Sequence, residues 1–247
     1  MTSYLIMQLY GPLAAWGEQA VGGVRRSAAH PSKSAVLGLC AAAQGIRRED
    51  DAAHDALAQQ LKFGVKVLAP GLLMTDYHTV QAPPRNKKSK HLYTRRDELR
   101  EPKLGTLLSS REYRQDALAL AALWQQDGGS EMMDAIAAAL VTPVFHLYLG
   151  RKSCPLSAPL NPRVIQAPSL IMAFEIYPAP LLEEGQPLSE RLSERRTTLY
   201  WEPCDKNGMA DQSHDMSVVR YDQPLSRTRW QFTSRKEAVR FVDRSEA

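Results

Sequence analysis

The chain of 247 residues has no run of about 18 consecutive apolar residues, which excludes a transmembrane helix. It has only three cysteines, Cys40, Cys154 and Cys204, and they are too far apart to form a CxxC pair. Neither a zinc ribbon nor a disulfide framework is therefore indicated. A chain without predicted disulfides suits a reducing compartment, so we expect a cytoplasmic protein.

The common motifs of catalysis and cofactor binding are also missing. The sequence has no GxxxxGK[ST] phosphate loop, no HExxH helix and no paired carboxylates at the spacing of a metal site. We therefore predict neither a metal nor a cofactor. With 44% hydrophobic and 23% charged residues, the chain can still form a substantial core.

Positive charge is concentrated in one segment. Residues 85–103, RNKKSKHLYTRRDELREPK, contain eight Lys or Arg and three acids, a local net charge of +5. The whole chain has a net charge of +4, so the rest of it is close to neutral. A localised basic segment suits a nucleic acid, and Tyr93 within it could stack on a base. A solvated loop has the same composition, and charge alone does not choose between the two.

The apolar pattern predicts an α+β fold, because strands and helices mix without strict alternation. A strand is predicted at 3–10, followed by a helix that Ser32 or Ser34 caps and Gly45 ends. The extended segments on either side of the basic segment are predicted to be the two legs of a projecting hairpin. Further helices are predicted at 51–61, 130–140 and within 167–177, and further strands at 63–69, 72–79, 111–124, 145–149, 197–202, 216–221 and 229–233.

Two shorter segments carry residue types that bind phosphate. Arg25, Arg26 and Lys33 lie just before or at the start of the first predicted helix, where the helix dipole and free N–H groups favour an anion. The segment LGRKSCP places a glycine before Arg151 and Lys152, which would let the backbone approach a ligand. Taken alone, ordinary helix capping and an exposed turn explain these segments better.

A metal-independent ribonuclease is an alternative function. RNA cleavage without a metal needs a base for the 2′-OH, an acid for the leaving oxygen and a cation on the phosphate. Tyr77, His78 and either Lys87 or Lys88 could supply these groups. A histidine at a strand end is more often structural or a ligand contact than a catalyst, and no second residue marks His78 as a base.

Several segments, in order along nearly the whole chain, resemble one protein family. They are GPLAAWG (11–17), HPSKSAVLGLCAAAQGI (30–46), DYHTV (76–80), SREYRQDALALAALW (110–124), YLGRKSCPL (148–156) and RWQFTSR (229–235). Together they are similar to the CasD family, the 5′-handle-binding RAMP subunits of the type I-E CRISPR Cascade complex. GPLAAWG, DYHTV and YLGRKSCPL are specific as a set, and none would suffice alone.

The resemblance implies an α+β, ferredoxin-like (RRM-like) RAMP fold with a protruding β-hairpin thumb and a small C-terminal β region. On this basis, we expect a RAMP domain at 1–150, with the thumb at about 79–111. A smaller region at 151–247 would hold the Gly-Arg loop and the late strands. The segment 178–215 and the tail beyond residue 235 do not match the family, and the thumb is longer and richer in lysine.

The resemblance also implies a non-catalytic RNA-binding scaffold that caps the 5′ handle of the CRISPR RNA and supports antiviral DNA recognition. Its expected partners are the handle, the hexameric backbone RAMP subunit and the large PAM-reading subunit, with target DNA nearby and no membrane. CasD-like proteins of the type I-C system instead cut precursor CRISPR RNA without a metal, which keeps the enzyme alternative open. A general nucleic-acid-binding module that uses the basic segment alone is the other alternative.

Carried over position by position, the resemblance predicts RNA contacts from the thumb, the loop entering the first helix and the Gly-Arg loop. The thumb residues are His78, Arg85, Lys87, Lys88, Lys90, Tyr93, Arg95, Arg96, Arg111, Tyr113 and Arg114. The residues of the two loops are Arg25, Arg26, Lys33, Tyr148, Arg151, Lys152, Ser153 and Cys154.

Overall fold

The structure is a computed structural model that describes residues 1–20, 22–83, 93–100, 103–126, 129–183, 186–187, 196–203 and 213–243. Its helices are α1 (Lys33–Ala43), α2 (Asp51–Gln60), α3 (Arg95–Leu99), α4 (Glu131–Val141) and α5 (Leu170–Ile176). Its strands are β1 (Thr2–Tyr10), β2 (Leu13–Ala14), β3 (Val24–Arg25), β4 (Leu61–Ala69), β5 (Leu72–Ala82), β6 (Gly105–Gln115), β7 (Leu118–Gln125), β8 (Arg163–Ala167), β9 (Leu181–Glu183), β10 (Gln186–Pro187), β11 (Arg196–Trp201), β12 (Met216–Ser226) and β13 (Gln231–Asp243).

The centre of the fold is an antiparallel unit of four strands in the order β4-β7-β1-β8. Along the chain these elements read β1-α1-β4-β7-α4-β8, with α2 after α1 and with β5 and β6 inserted between β4 and β7. The β-α-β-β-α-β connectivity is that of a ferredoxin-like fold. The predicted α+β, ferredoxin-like fold is therefore confirmed.

Three later strands extend this sheet beyond β4. The full order is β12-β13-β11-β4-β7-β1-β8, so strands from both predicted regions, 1–150 and 151–247, share one sheet. The division at residue 150 stays a prediction. The last strand runs well beyond the predicted 229–233, because β13 has a pairing partner on each side, β11 and β12.

The sheet is buried on both faces, which explains why the central strands are so apolar. Leu5, Met7 and Leu9 of β1 belong to a core cluster that includes residues of α1, α2 and α4. The alternate residues Tyr4 and Ile6 belong to a second cluster with residues of α5, β11 and β13. Alternate side chains of one strand thus pack into two cores, one on each face of the sheet.

The first helix begins and ends where the sequence predicts. The Ser32 hydroxyl accepts a hydrogen bond from the backbone N–H of Ala35 at 3.2 Å, which caps α1. Gly45 follows the helix with φ of +75°, a left-handed conformation that glycine adopts without steric cost. These local signals set both ends of α1.

The predicted hairpin is present and is formed by β5 and β6. The two strands pair without interruption from Leu72 opposite Gln115 to Ala82 opposite Gly105. Eleven residues of strand extend about 35 Å, so the hairpin reaches well beyond the sheet. Near its base, β6 also pairs with the short strands β2 and β3. Residues 84–92 and 101–102, which include most of the predicted basic tip, lie outside the described residues.

Two strand predictions are wrong. The strand predicted at 111–124 is divided into β6 and β7, which belong to different sheets, because the chain turns at Asp116, where φ is +54°. Residues 145–149 do not form a strand, and only an isolated bridge joins Tyr148 to Pro155. The chain turns sharply at Gly150, where φ is +85°, and the turn closes with a hydrogen bond from the Cys154 N–H to the Arg151 carbonyl at 2.8 Å. The apolar pattern of the segment reflects burial of Leu149 at the start of this turn.

Candidate nucleic-acid interface

A groove of about 540 Å³ opens between four segments of the chain. Its walls are the loop at 15–25, α1, the loop at 146–151 and the turn between β12 and β13. Three residues predicted to bind RNA line it, namely Arg25, Tyr148 and Arg151. A concave surface with cations and exposed aromatic rings suits single-stranded RNA, which proteins bind through phosphate charge and base stacking.

The Gly-Arg loop is locked in place by its backbone. A Cβ atom on Gly150 would lie 1.8 Å from the carbonyl oxygen of Ala15, so no other residue fits without moving the loop. The Ala15 N–H donates to the Leu149 carbonyl at 3.0 Å, and the Leu149 N–H donates to the Cys154 carbonyl at 2.7 Å. The two family segments GPLAAWG and YLGRKSCPL therefore meet in the fold and hold each other.

Arg151 joins this loop to the base of the thumb. Its Nη1 donates to the Glu112 carbonyl at 2.9 Å, and its Nη2 donates to the Arg25 carbonyl at 3.2 Å. Its guanidinium lies 4.6 Å from the centroid of the Tyr113 ring. These contacts use two of its five N–H donors, so Arg151 is a brace that can still donate to a ligand. Tyr113 is buried beneath it and supports the arginine rather than facing solvent.

The pairing of β3 with β6 places two arginines on one face of the hairpin. Arg111 lies opposite Arg25 on β3 and opposite Asp76 on β5. Directly paired residues project to the same face, so these two arginines share the face that also carries Tyr113. Both are exposed. The base of the thumb thus has a basic face that continues into the groove.

Arg26 and Arg114 lie close to this surface but in different settings. Arg26 is exposed next to Arg25. Arg114 is half-buried, and its Nε donates to the Ala28 carbonyl at 3.1 Å. It ties the loop before α1 to the hairpin, on the face opposite Arg111. Of the two, only Arg26 presents an exposed side chain to a ligand.

The structure corrects the role of Lys33. The side chain is 3% exposed, and its Nζ lies 2.9 Å from Oε1 of the buried Glu202. Burial lowers the pKa of the Lys33 ammonium, and the charge and hydrogen bond of Glu202 only partly offset this effect. The backbone N–H of Lys33 donates to the Asp222 carboxylate at 2.8 Å, so the chain itself supplies the anion at the helix N-terminus. Lys33 therefore leaves the set of candidate RNA ligands.

Lys33 belongs to a buried charge network between the start of α1 and the late strands. Arg235 donates to Asp222 at 2.6 and 2.9 Å and to Glu237 at 2.5 Å. Glu237 also lies 3.3 Å from Nε2 of His30, whose ring stacks on Tyr200 at 3.8 Å between centroids. The network fixes β12 and β13 against α1, and so fixes one wall of the groove.

The exposed and buried parts of the Gly-Arg loop have different roles. Lys152 and Ser153 are exposed at its outer side, and Tyr148 is 41% exposed at the groove. Cys154 is fully buried, and burial raises the pKa of its thiol. The Cys154 backbone closes the loop, but its side chain cannot meet RNA. Lys152, Ser153 and Tyr148 remain as candidate ligands.

The acid–base pair proposed for the ribonuclease alternative does not assemble among the described residues. Tyr77 and His78 are neighbours on β5, so their side chains project to opposite faces of the hairpin. The nearest carboxylate to His78 is Asp76, with Oδ2 at 3.8 Å from Nδ1, and both side chains are largely exposed. Lys87 and Lys88 lie outside the described residues, so the structure does not place the proposed cation.

Comparison with known proteins assigns the chain to a family. A family profile described as "CRISPR-associated protein (Cas_Cas5)" matches residues 4–243, nearly the whole chain. The chain belongs to this Cas5 family of CRISPR-associated proteins. The predicted resemblance to CasD is confirmed as well. The chain is 35% identical over 170 residues to the CRISPR system Cascade subunit CasD of Escherichia coli (strain K12), which covers 65% of this chain and 70% of the relative.

Solved structures of CRISPR proteins are also similar to this chain. A chain of a structure described as "CRISPR RNA-guided surveillance complex" has a TM-score of 0.68 and 26% identity, and the match covers 97% of this chain and 90% of that chain. Another, described as "Crystal structure of Cas protein", has a TM-score of 0.65 and 27% identity, with 99% and 97% covered. Both matches include the hairpin and the late strands, since they span almost the full length of this Cas5 chain.

The remaining predicted thumb residues of this Cas5 protein are only partly placed. Arg85, Lys87, Lys88 and Lys90 lie outside the described residues. Tyr93 is 88% exposed just before α3, and Arg95 and Arg96 are exposed within α3. Arg95 donates to Glu98 at 2.7 Å and also to the carbonyl of Gln81, which attaches α3 to the end of β5.

Sequence reasoning missed a second group of residues at the groove. Arg227 and Trp230 line it from the turn between β12 and β13, and Tyr221 and Phe232 line it from β12 and β13. The segment RWQFTSR carries part of the family pattern, but the sequence predicted only a strand there. A tryptophan close to Arg227 and Arg229 in the sequence was the available signal, because tryptophan and arginine are enriched at binding sites.

Neither a metal site nor a membrane-spanning helix is found among the described residues. Within the ranges given above, no three His, Cys, Asp or Glu side chains converge in a way that could hold a metal ion. In the same part of the chain, no helix is both long and apolar enough to span a membrane.

Proposed function

We propose that this Cas5 protein is a non-catalytic, RNA-binding scaffold subunit of a CRISPR surveillance complex that caps the 5′ handle of the CRISPR RNA. Its relative in Escherichia coli is described as a Cascade subunit, and one structural neighbour comes from an RNA-guided surveillance complex. Cascade partners follow from the same relationship. They are a backbone RAMP subunit and a large PAM-reading subunit, in the cytoplasm and with target DNA nearby.

The observation that carries the proposal is the junction between the Gly-Arg loop and the base of the thumb. Arg151 connects β3, β6 and the loop, and Arg25, Arg111 and Lys152 are exposed on the elements that it joins. Arg25 and Tyr148 line the groove beside it. Cations on a fixed frame next to the exposed ring of Tyr148 can bind both phosphates and bases. The long thumb can then lie across the guide where the handle ends.

The first experiment is assembly with RNA. The full chain is co-expressed with its neighbouring backbone subunits and a repeat–spacer RNA, then purified, and the bound RNA ends are sequenced. We expect guides with one protected 5′ handle. Recovery of RNA with arbitrary ends would contradict handle capping and would leave only a general nucleic-acid-binding module.

Two variants separate ligand contact from bracing. Lys152→Ala removes an exposed cation that makes no structural contact among the described residues, so it should weaken handle binding without changing thermal stability. Arg151→Ala removes the brace as well, so it should weaken binding and lower the melting temperature. The matched control is Lys236→Ala, which removes one exposed lysine outside the groove. Equal handle affinity in the Lys152→Ala variant and the wild type would contradict a contact at Lys152.

The enzyme alternative is tested in the same preparation. The purified full chain is incubated with repeat RNA in the presence of EDTA. An intact RNA is expected, because Tyr77 and His78 project to opposite faces of the thumb. A fixed cut that is lost in His78→Ala would overturn the non-catalytic assignment.

A further inference from the structure

A cluster of two arginines and one tryptophan lies between the turn that joins β12 to β13 and the loop after α1, and the proposed handle contact does not use it. The guanidinium of Arg48 lies 4.7 Å from the centroid of the Trp230 ring, and that of Arg227 lies 5.9 Å from it. Arg48 Nε donates to the Arg227 carbonyl at 3.2 Å. The cluster therefore joins the loop after α1 to this turn, and Arg227 and Trp230 line the groove.

The guanidinium groups of Arg48 and Arg227 have no carboxylate partner among the described residues, although the backbone N–H of Arg227 donates to the Asp51 carboxylate. Arg227 donates through Nη2 to the Ser34 carbonyl at 2.5 Å, but its Nε is buried with no hydrogen-bond partner there. No carboxylate in that part of the chain lies within 4 Å of either guanidinium. Burial, and then the charge of Arg48, lower the pKa of Arg227, while Tyr148 across the groove has the opposite effect. A half-buried cation that has a second cation beside it and no carboxylate is costly unless an anion joins them.

The tryptophan is exposed in a way that the fold itself does not require. Trp230 is 58% exposed and has φ of +58°, a left-handed conformation that is rare for a bulky residue. The ring of Phe232 supports it edge-on at 5.7 Å between centroids. A non-glycine residue held in this conformation at the edge of a groove is typical of a binding site. Tyr148 and Tyr221 add two further exposed rings to the same groove.

We propose that Arg48, Arg227 and Trp230 form a nucleotide subsite of the RNA-binding groove, in which the exposed part of the Trp230 ring stacks on a base and the arginines bind its phosphate. The proposal rests on the RNA-binding function proposed above and adds to it a site on the late strands. RNA held by the Gly-Arg loop would then continue along the groove to this turn, past Tyr148. A base and a phosphate together are required, because the cluster offers one stacking surface and two cations.

Trp230 is also a convenient reporter of the subsite. The chain has four tryptophans, and the other three, Trp16, Trp124 and Trp201, are each 2% exposed. Quenching of tryptophan fluorescence by acrylamide therefore reports mainly on Trp230, and the Trp230→Phe variant identifies its contribution. The probe is a short oligouridylate, and the anisotropy of a labelled copy reports total binding to the full chain.

We expect saturating oligouridylate to protect Trp230 from acrylamide, and inorganic tripolyphosphate to give no comparable protection. Arg48→Gln and Trp230→Leu should each raise the Kd for the oligouridylate by roughly five- to a hundredfold, the range expected when one base no longer stacks. The matched control is Arg47→Gln. Arg47 is an exposed arginine next to Arg48 but outside the cluster, so this substitution removes the same charge without changing the cluster. It should change the Kd by less than about threefold, the effect of removing one long-range charge.

The outcomes separate this inference from the proposed function. Binding by anisotropy without protection of Trp230 would overturn the subsite and leave RNA binding intact. Equal protection by tripolyphosphate would reduce the cluster to an anion site and overturn base stacking. Equal losses of affinity in Arg48→Gln and Arg47→Gln would show an effect of net charge only, which also overturns the subsite. No binding by anisotropy at any concentration would overturn the subsite, whereas handle capping is overturned only by the co-expression experiment above.

Discussion

Replacing Glu237 with glutamine should destabilise the fold much more than the same change at an exposed site. The Glu237 side chain is fully buried, and Arg235 Nη2 donates to its Oε1 at 2.5 Å. Its Oε2 lies 3.3 Å from Nε2 of His30. Removing one partner of a buried ion pair costs about 3–5 kcal/mol, because the remaining charges lose compensation. Arg235 would retain Asp222, but it would lose the carboxylate that it shares with His30.

This cost can be measured as a shift in melting temperature. For a chain of this size, 1 kcal/mol corresponds to about 2–4 °C, so Glu237→Gln should lower Tm by roughly 6–20 °C at neutral pH. The matched control is Glu18→Gln. Glu18 contacts Arg220 at 3.4 Å but is 45% exposed, and a surface pair contributes only about 0–1 kcal/mol. Equal shifts of Tm in the two variants, measured by circular dichroism, would refute the reasoning from burial.

The pH dependence gives a second readout with a definite sign. Burial alone would raise the pKa of Glu237, but the contacts with His30 and Arg235 outweigh burial and hold that pKa below its usual value. A carboxyl group with a lowered pKa in the folded state stabilises the fold above its unfolded pKa of about 4.3, and this stabilisation disappears as the pH falls through the folded value. The difference in Tm between wild type and Glu237→Gln should therefore narrow below about pH 4. A constant difference at acid pH would contradict the assignment.

Three further predictions concern the groove and the thumb. Gly150→Ala should lower Tm and weaken handle binding, because the new Cβ would meet the Ala15 carbonyl oxygen at 1.8 Å. A Cβ at Gly17 meets open space, so Gly17→Ala should leave Tm unchanged, and equal melting shifts in the two variants would contradict this. Asp51→Asn should speed amide hydrogen exchange in the turn between β12 and β13, since the Asp51 carboxylate accepts the N–H of Arg227 at 2.9 Å; unchanged exchange there would contradict this. Neutralising the thumb lysines should reduce the salt dependence of RNA binding by about 0.7 in logarithmic slope for each phosphate they bind, and an unchanged slope would show that they bind none. The lysines to neutralise are Lys87, Lys88 and Lys90.

The elements that could be predicted are those that local chemistry decides. The cap at Ser32 and the left-handed Gly45 define α1 within its own residues, so both ends were predicted correctly. The hairpin was predictable because its two extended segments flank an irregular basic stretch. The strand predicted at 145–149 was wrong because its apolar residues give no sign of the backbone contact at Ala15 that makes Gly150 turn.

The candidate site was predicted in part, and the errors have a common cause. Lys33 was expected to meet a phosphate because it stands at a helix N-terminus. Its partners are Glu202 and Asp222, 169 and 189 residues away along the chain, and nothing near Lys33 in the sequence indicates them. Trp230 and Arg227 were missed for the same reason, since only the packing of the late strands on α1 brings them to the groove.

The sequence by itself determined the fold class, the first helix, the thumb and the family, because each is carried by short-range patterns or by segments whose order along the chain is sufficient. Tertiary structure decided which cations are exposed. Burial depends on what packs against a side chain, and that packing comes from strands that are distant along the chain. Arg151 as a brace, Lys33 as a buried ion-pair partner and Trp230 as an exposed ring are all results of that packing.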